Sequence, residues 1–269
     1  MNMFEKTAIE IRKKIIDMAY RSNASHIGSA LSSVELLTAL YFIIMKIDEK
    51  NPVWEERDRF ILSKGHGAAA LYATLAQRGF FSDIILNEYC ADGGRLEAHT
   101  NINCVPGVEA TTGSLGHGLS IGAGMALAGK CDKKEYRVFV IVGDGECDEG
   151  SIWESALFAS HHHLDNLVVI VDYNKLQAFG KTNDVLNLEP FAEKWMAFGW
   201  SIKEINGHDL LQITSSLEKI PFQKGKPSIV IANTIKGKGI SFMENRLDCH
   251  YKSLDEKSYK QATEELINK

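Results

Sequence analysis

The segment Val142-Gly143-Asp144-Gly145-Glu146-Cys147-Asp148-Glu149-Gly150 sets a glycine-flanked aspartate at the head of a run of carboxylates, and thirty positions after Asp144 comes Asn174, in Asp172-Tyr173-Asn174-Lys175-Leu176. A carboxylate and an amide oxygen are hard ligands that suit Mg²⁺ or Ca²⁺, with backbone carbonyls and the oxygens of an anionic ligand completing the shell. Glycine on both sides of Asp144 lets the main chain approach such a ligand closely. The expected chemistry is a cation clamped between protein and a diphosphate.

Imidazoles form the second group. His66 lies in Lys64-Gly65-His66-Gly67, directly after the strand-like Arg59-Phe60-Ile61-Leu62-Ser63 and before a helical pattern. Core packing explains a histidine between two glycines at such a turn poorly, whereas a ligand-facing loop explains it well. His26 centres the small polar segment Ser22 to Ser29, where it reads equally well as a loop histidine capping a helix. His99 falls in residues 92–118, the longest irregular region, and irregular stretches of that length inside a compact domain are usually functional. The consecutive His161-His162-His163 are different: adjacent helix positions point about 100° apart and cannot converge on one ion, so a solvated helix end is expected.

The elements that must position these groups follow from hydrophobic periodicity. Residues 59–63, 138–142, 167–171, 201–205 and 229–232 read as strands, and helical patterns cover 5–21, 34–44, the stretch from Ala68, Leu119 to Lys130, Phe191 to Trp200, Asp209 to Leu217 and 255–268. The helix from Leu119 is rich in Gly and Ala, which permits close packing within the chain or between subunits. Continuously apolar strands that alternate with helices predict an α/β fold, a mostly parallel sheet with helices on both faces. Such sheets bind ligands at the carboxyl ends of their strands. If 138–142 and 167–171 are neighbours, Asp144 and Asn174 meet above the sheet, and their separation suits one strand-helix-strand unit. No linker, repeat or low-complexity segment interrupts the pattern, so residues 1–269 are expected to form a single diphosphate-binding domain.

Composition narrows the class further. The chain has 269 residues, 45% of them hydrophobic, and a formal net charge of −5. That is ample for a packed core, and without a concentrated cluster of Lys and Arg it argues against a nucleic-acid partner. The five cysteines are scattered, with no C-x-x-C pair for zinc or redox chemistry. The N-terminus lacks the apolar stretch of a signal peptide, and no run approaches the roughly 20 residues that span a bilayer. The expectation is a soluble, cytoplasmic protein with no membrane contact.

Two familiar phosphate motifs fail on inspection. Gly124-Met125-Ala126-Leu127-Ala128-Gly129-Lys130 satisfies G-x-x-x-x-G-K, but Cys131 follows where Ser or Thr is needed, and no strand precedes it. A dinucleotide fingerprint would need a third glycine where Glu146, Cys147 and Asp148 stand. Carboxylates beside an anionic pyrophosphate also repel it, and a divalent cation resolves that repulsion.

Gly-Asp-Gly at a strand end with an Asn about thirty residues on resembles the thiamine diphosphate fingerprint. Ser25-His26, Ser63-Lys64-Gly65-His66-Gly67, Thr112-Gly113-Ser114-Leu115-Gly116, Gly143-Asp144-Gly145 with Glu149, Asn174, and Thr234-Ile235-Lys236-Gly237-Lys238-Gly239 through His250 resemble, in order, the N-terminal half of transketolases. The resemblance implies a thiamine diphosphate-binding fold, with Asp144, Asn174 and the Leu176 carbonyl holding Mg²⁺ (or Ca²⁺). His66, Gly145, Asn174 and His250 would contact the cofactor's diphosphate end, and Gly113, Ser114 and Leu115 would line its rings. His26, His99 and His250 would surround the reacting sugar carbons, and Glu149 would couple active sites across a subunit interface. Two positions depart from the family: Ala98-His99-Thr100 stands where Gly-His-Pro is common, and His117 where glutamine is frequent.

By the same resemblance, the glutamate that protonates the cofactor's pyrimidine ring, and most groups that grip the sugar phosphate, belong to a region absent from this sequence. The chain is therefore expected to be the N-terminal subunit of a split transketolase. A separately encoded C-terminal subunit would complete it, two copies of each forming the assembly, which would act on sugars or sugar phosphates. Two alternatives are the α subunit of a 2-oxo acid dehydrogenase, disfavoured by His26, His66 and His99 together, and a non-catalytic stabilising subunit.

Overall fold

The computed structural model describes residues 2–268. Its frame is a five-stranded sheet, all parallel: β1 (Arg59–Leu62), β2 (Val138–Gly143), β3 (Leu167–Tyr173), β4 (Ser201–Asn206) and β5 (Ser228–Asn233), in the order β1-β2-β3-β5-β4. β3 is buried along its whole length and β2 along all but its last residue, which is why both read as unbroken apolar runs. β4 lies at an edge and carries Lys203 and Glu204, charges that discourage further strand pairing.

Among the described residues ten α-helices surround the sheet: α1 (Met3–Ser22), α2 (Ile27–Ser32), α3 (Val34–Ala39), α4 (Ala68–Arg78), α5 (His117–Cys131), α6 (Gly150–His161), α7 (Thr182–Val185), α8 (Phe191–Ala197), α9 (Leu210–Leu217) and α10 (Glu256–Ile267). Alternate strand residues feed two cores. Phe60, Phe139, Ile141, Ile170 and Val230 pack with α1, α3, α4 and α9 on one face. Ile61, Val140, Val142, Val169 and Ile231 pack with α5, α6 and α8 on the other. Helices on both faces are what the sequence pattern predicts.

Several boundaries differ from the sequence reading. The segment Ser22 to Ser29 is shorter as a loop than its polarity suggests, because α2 starts at Ile27, and Gly28, Ser29 and Ser32 are buried in it. Tertiary burial there overrides weak helix propensity. The helix expected over 34–44 ends as a π-helical turn at Leu40–Ile44, and that expected over 191–200 stops at Ala197. Among the described residues no helix is long and apolar enough to cross a membrane.

Candidate cofactor-binding and active site

β2 and β3 run side by side, with Gly143 opposite Asp172. The residues just past those strand ends, Asp144 and Asn174, therefore meet above the sheet as their spacing predicts. Asp144 is 3% exposed. Its Oδ1 accepts from the Gly145 N–H at 2.8 Å, and its Oδ2 accepts from the Lys175 N–H at 2.5 Å and the Thr182 hydroxyl at 3.2 Å. All of these donors are neutral. Burial, and then the nearby Asp172 carboxylate, push the Asp144 pKa up to about 6. A buried carboxylate whose hydrogen-bond donors are all neutral is the electrostatic setting a divalent cation relieves.

Asn174 Oδ1 accepts from the Leu176 N–H at 3.1 Å, and the Leu176 carbonyl accepts from Lys236 Nζ at 3.0 Å. Both oxygens keep a second lone pair. Among the described residues no group of three or more His, Cys, Asp or Glu is placed to hold an ion. A metal here would instead draw on one carboxylate, one amide and one carbonyl, a mixed oxygen set that fits Mg²⁺ or Ca²⁺ when a diphosphate supplies the remaining ligands.

Beneath this cradle lies a charged network that the sequence reading did not single out. Lys64 and Asp172, almost wholly buried, form an ion pair that joins the end of β1 to β3. Asp172 also accepts from the Ser32 hydroxyl at 2.6 Å and from the Thr234 hydroxyl, and Lys64 donates to the Ser29 carbonyl at 2.7 Å. Burial raises the Asp172 pKa, but Lys64 and these hydroxyls outweigh it and hold the carboxyl below its usual range. Glu146 plays a parallel part. It accepts from the Ser63 hydroxyl, from the Gly116 N–H at 2.8 Å and from the Gly143 N–H at 3.0 Å, so one carboxylate ties three loops together. Gly65 is required where those loops converge: a Cβ there would lie 2.6 Å from the Thr112 carbonyl oxygen.

The histidines gather around the cleft. The ring of His26 lies 4.9 Å from His250, 5.4 Å from His66 and 6.1 Å from His99, and His66 lies 5.5 Å from His250. His26 precedes α2 with φ 65° and makes no side-chain cap. Its Nδ1 pairs with the Ser25 hydroxyl at 3.0 Å instead, so the capping alternative fails. Burial lowers the His26 pKa, helped by His99 and Lys236. His66 is held well below the ordinary imidazole range by burial, then Lys64 and the other imidazoles. Burial, Lys236, His26 and Lys64 bring His250 down to about 3. These three imidazoles are therefore neutral near pH 7, able to accept a proton at one nitrogen and donate one at the other.

The cleft measures about 440 Å³. Of the residues singled out from sequence, His26, His66, His99, Gly113, Leu115, Asp144, Gly145, Glu149, Asn174, Leu176 and His250 line it. Ser114 is exposed and is not in the lining, nor is His117, whose Nδ1 pairs with the Leu115 carbonyl at 3.2 Å. Glu149 is exposed at the start of α6. His161, His162 and His163 are exposed at the end of α6, away from the cleft. Thr100, in the family-divergent loop, is buried, and its hydroxyl pairs with that of Thr112 at 2.5 Å. Besides Lys64 and Glu146, the lining includes Lys236, which the sequence reading placed in a motif without a role. Position three of Thr234-Ile235-Lys236, just past an apolar strand, was the available signal.

A parallel sheet whose central strand ends carry a buried aspartate and an asparagine beneath a histidine-lined cleft defines a cofactor-binding α/β protein. Residues 4–267 match the family described as transketolase, thiamine diphosphate binding domain, and the chain belongs to that family. A 6-deoxy-6-sulfo-D-fructose transketolase subunit from Clostridium sp. (strain MSTE9) is 46% identical over 95% of this chain and 93% of its own length. One of the subunits of an apulose-4-phosphate transketolase from Phocaeicola vulgatus is 43% identical over 95% of this chain and 90% of its own length. The transketolase structure from Leishmania mexicana superposes with a TM-score of 0.92 at 28% identity, covering 99% of this chain and 42% of that one. The structure from Campylobacter jejuni gives 0.92 at 29% identity, covering 99% and 43%. The chain thus corresponds to the thiamine diphosphate-binding part of those transketolases, about two fifths of their length, and to nearly the whole of the short subunits. The dehydrogenase alternative is not favoured.

Proposed function

We propose that the cleft holds thiamine diphosphate with Mg²⁺ (or Ca²⁺), and that the chain, joined to a separate C-terminal transketolase subunit, transfers a two-carbon ketol unit from a ketose or ketose phosphate to an aldose or aldose phosphate. Residues 1–269 act in this reading as one diphosphate-binding domain. The observation that carries it is Asp144, buried with neutral donors beside Asn174 and the Leu176 carbonyl, under a ring of imidazoles. Thiamine diphosphate, when bound, supplies a carbon nucleophile able to carry the two-carbon unit.

The chain's own groups then divide the work. Asp144, Asn174 and the Leu176 carbonyl hold the cation, while Gly145 leaves its backbone open to the diphosphate. Lys236 brings positive charge to the same end, and His66 and His250 add neutral donors. Gly113 and Leu115, which line the cleft, serve the ring end. As an ammonium, Lys236 donates to His250 Nδ1 at 3.0 Å, so His250 carries its proton on Nε2 and offers it to a ligand oxygen. His26, with Nδ1 engaged by Ser25, keeps Nε2 for a substrate hydroxyl. His26, His99 and His250 together suit the proton transfers that ketose cleavage demands. Glu149, exposed at the rim, is assigned to communication across the subunit interface.

The test is a substrate screen on the assembled complex with thiamine diphosphate and Mg²⁺. Donors would include ordinary pentose phosphates together with 6-deoxy-6-sulfo-fructose and apulose 4-phosphate, the sugars for which the two relatives are named. Ketol transfer from any ketose supports the proposal, whereas turnover of a 2-oxo acid alone overturns it.

A further inference from the structure

Lys236 is 1% exposed, yet its ammonium reaches the cleft and touches the Leu176 carbonyl at 3.0 Å, the Gln177 carbonyl at 3.3 Å and His250 Nδ1 at 3.0 Å. A long flexible side chain holds such a position only if its own backbone is fixed. The loop on either side of it is gripped from behind. The Ile235 N–H donates to His208 Nε2 at 2.8 Å, and the Lys238 carbonyl accepts from Arg12 Nε at 3.0 Å. One carboxylate joins these two grips: Glu35 accepts from Arg12 Nη2 at 2.7 and 2.8 Å and pairs with His208 Nδ1 at 2.9 Å. Because Nε2 accepts, His208 must carry its proton on Nδ1 and donate it to Glu35. Gly239, at φ 96°, leaves the space Arg12 needs, since a Cβ there would lie 2.7 Å from Arg12 Nε. Arg12 sits on α1, Glu35 on α3 and His208 just past β4, and none of the three lines the cleft.

We infer that Arg12, Glu35 and His208 form a positioning unit that sets Lys236 in the cofactor cleft; the inference rests on the proposed function for what Lys236 then binds. The alternative is a buried ionic cluster that stabilises the fold at large without regard to Lys236.

The experiment compares His208→Asn, which loses the acceptor for the Ile235 N–H, with His208→Gln, which can place an oxygen near the Nε2 position. Each is made in the wild-type and Lys236→Met backgrounds of the assembled complex. The readout is the Kd for thiamine diphosphate at saturating Mg²⁺. His208→Asn is expected to weaken binding about tenfold, as loss of an outer-shell partner does, and His208→Gln to recover most of it. In the Lys236→Met background His208→Asn should add nothing. An equal loss in both backgrounds, or an unchanged Kd with only a lowered melting temperature, overturns the inference. Glu35→Gln repeats the comparison if His208→Asn does not fold. Hydrogen exchange without cofactor supplies a second arm: His208→Asn should accelerate residues 235–239 while residues 65–67 stay unchanged, and uniform change overturns the inference. Should the wild-type complex bind no thiamine diphosphate, the functional reading fails while this arm still decides the positioning role.

Discussion

A buried imidazole that must stay neutral makes folding sensitive to acid. His66 and His250 have pKa values held below the ordinary 6.5, His66 by burial and Lys64 first, His250 by burial and Lys236 first. In the unfolded chain both take up protons near pH 6.5; in the folded chain they resist doing so. Their contribution is therefore fully present above pH 6.5 and is lost as pH falls toward their folded values, with the unfolded state gaining protons. Melting temperature should hold steady above pH 7 and drop as pH is lowered from 6.5 to about 4, and His66→Gln should flatten that slope. A wild-type slope that His66→Gln leaves unchanged would contradict this assignment. The cleft-lining histidines were legible in the sequence because glycine-flanked or loop positions leave an imidazole little packing purpose. Lys64, Asp172 and Lys236 were harder to recognise. Asp172 ends an apolar strand and the two lysines sit in short polar turns, so only the sheet order reveals what they face.

At the scale of elements, the site is assembled from strand ends. Lys64 follows β1, Asp172 lies near the end of β3, and Thr234 follows β5, so one buried ion pair registers three strands with α2 through Ser32. Lys64→Met would leave Asp172 buried without its counter-charge. The expected cost is about 3–5 kcal/mol in a denaturant titration. The double variant Lys64→Met/Asp172→Asn should recover part of that loss, because the two effects are coupled; a single-variant loss under about 1 kcal/mol, the range of an exposed pair, would contradict the network's role. The five strands and the adjacency of β2 and β3 were legible from continuous apolar runs and from the spacing of Asp144 and Asn174. The reversal that puts β5 between β3 and β4 leaves no local mark in sequence. The early start of α2 was hidden because Gly28, Ser29 and Ser32 have loop-like chemistry and helix-like burial.

At the scale of the whole molecule, the chain matches transketolases over about two fifths of their length and short transketolase subunits over nearly all of theirs. Under the proposed division of labour, this chain anchors the cofactor's diphosphate and presents histidines to the sugar, while the partner subunit completes the reacting centre. Ketol transfer should be absent with this chain alone and appear on adding the partner, and sedimentation should give a complex with two copies of each. Full activity from this chain by itself would contradict the partnership. The central claim is that Asp144 clamps a cation against a bound diphosphate, and calorimetric titration of thiamine diphosphate into the assembled complex, with and without Mg²⁺, tests it most directly. Wild type should bind tightly only with the metal present, and Asp144→Ala should lose that metal-dependent affinity by at least about tenfold; an unchanged, metal-dependent Kd in Asp144→Ala would contradict the claim.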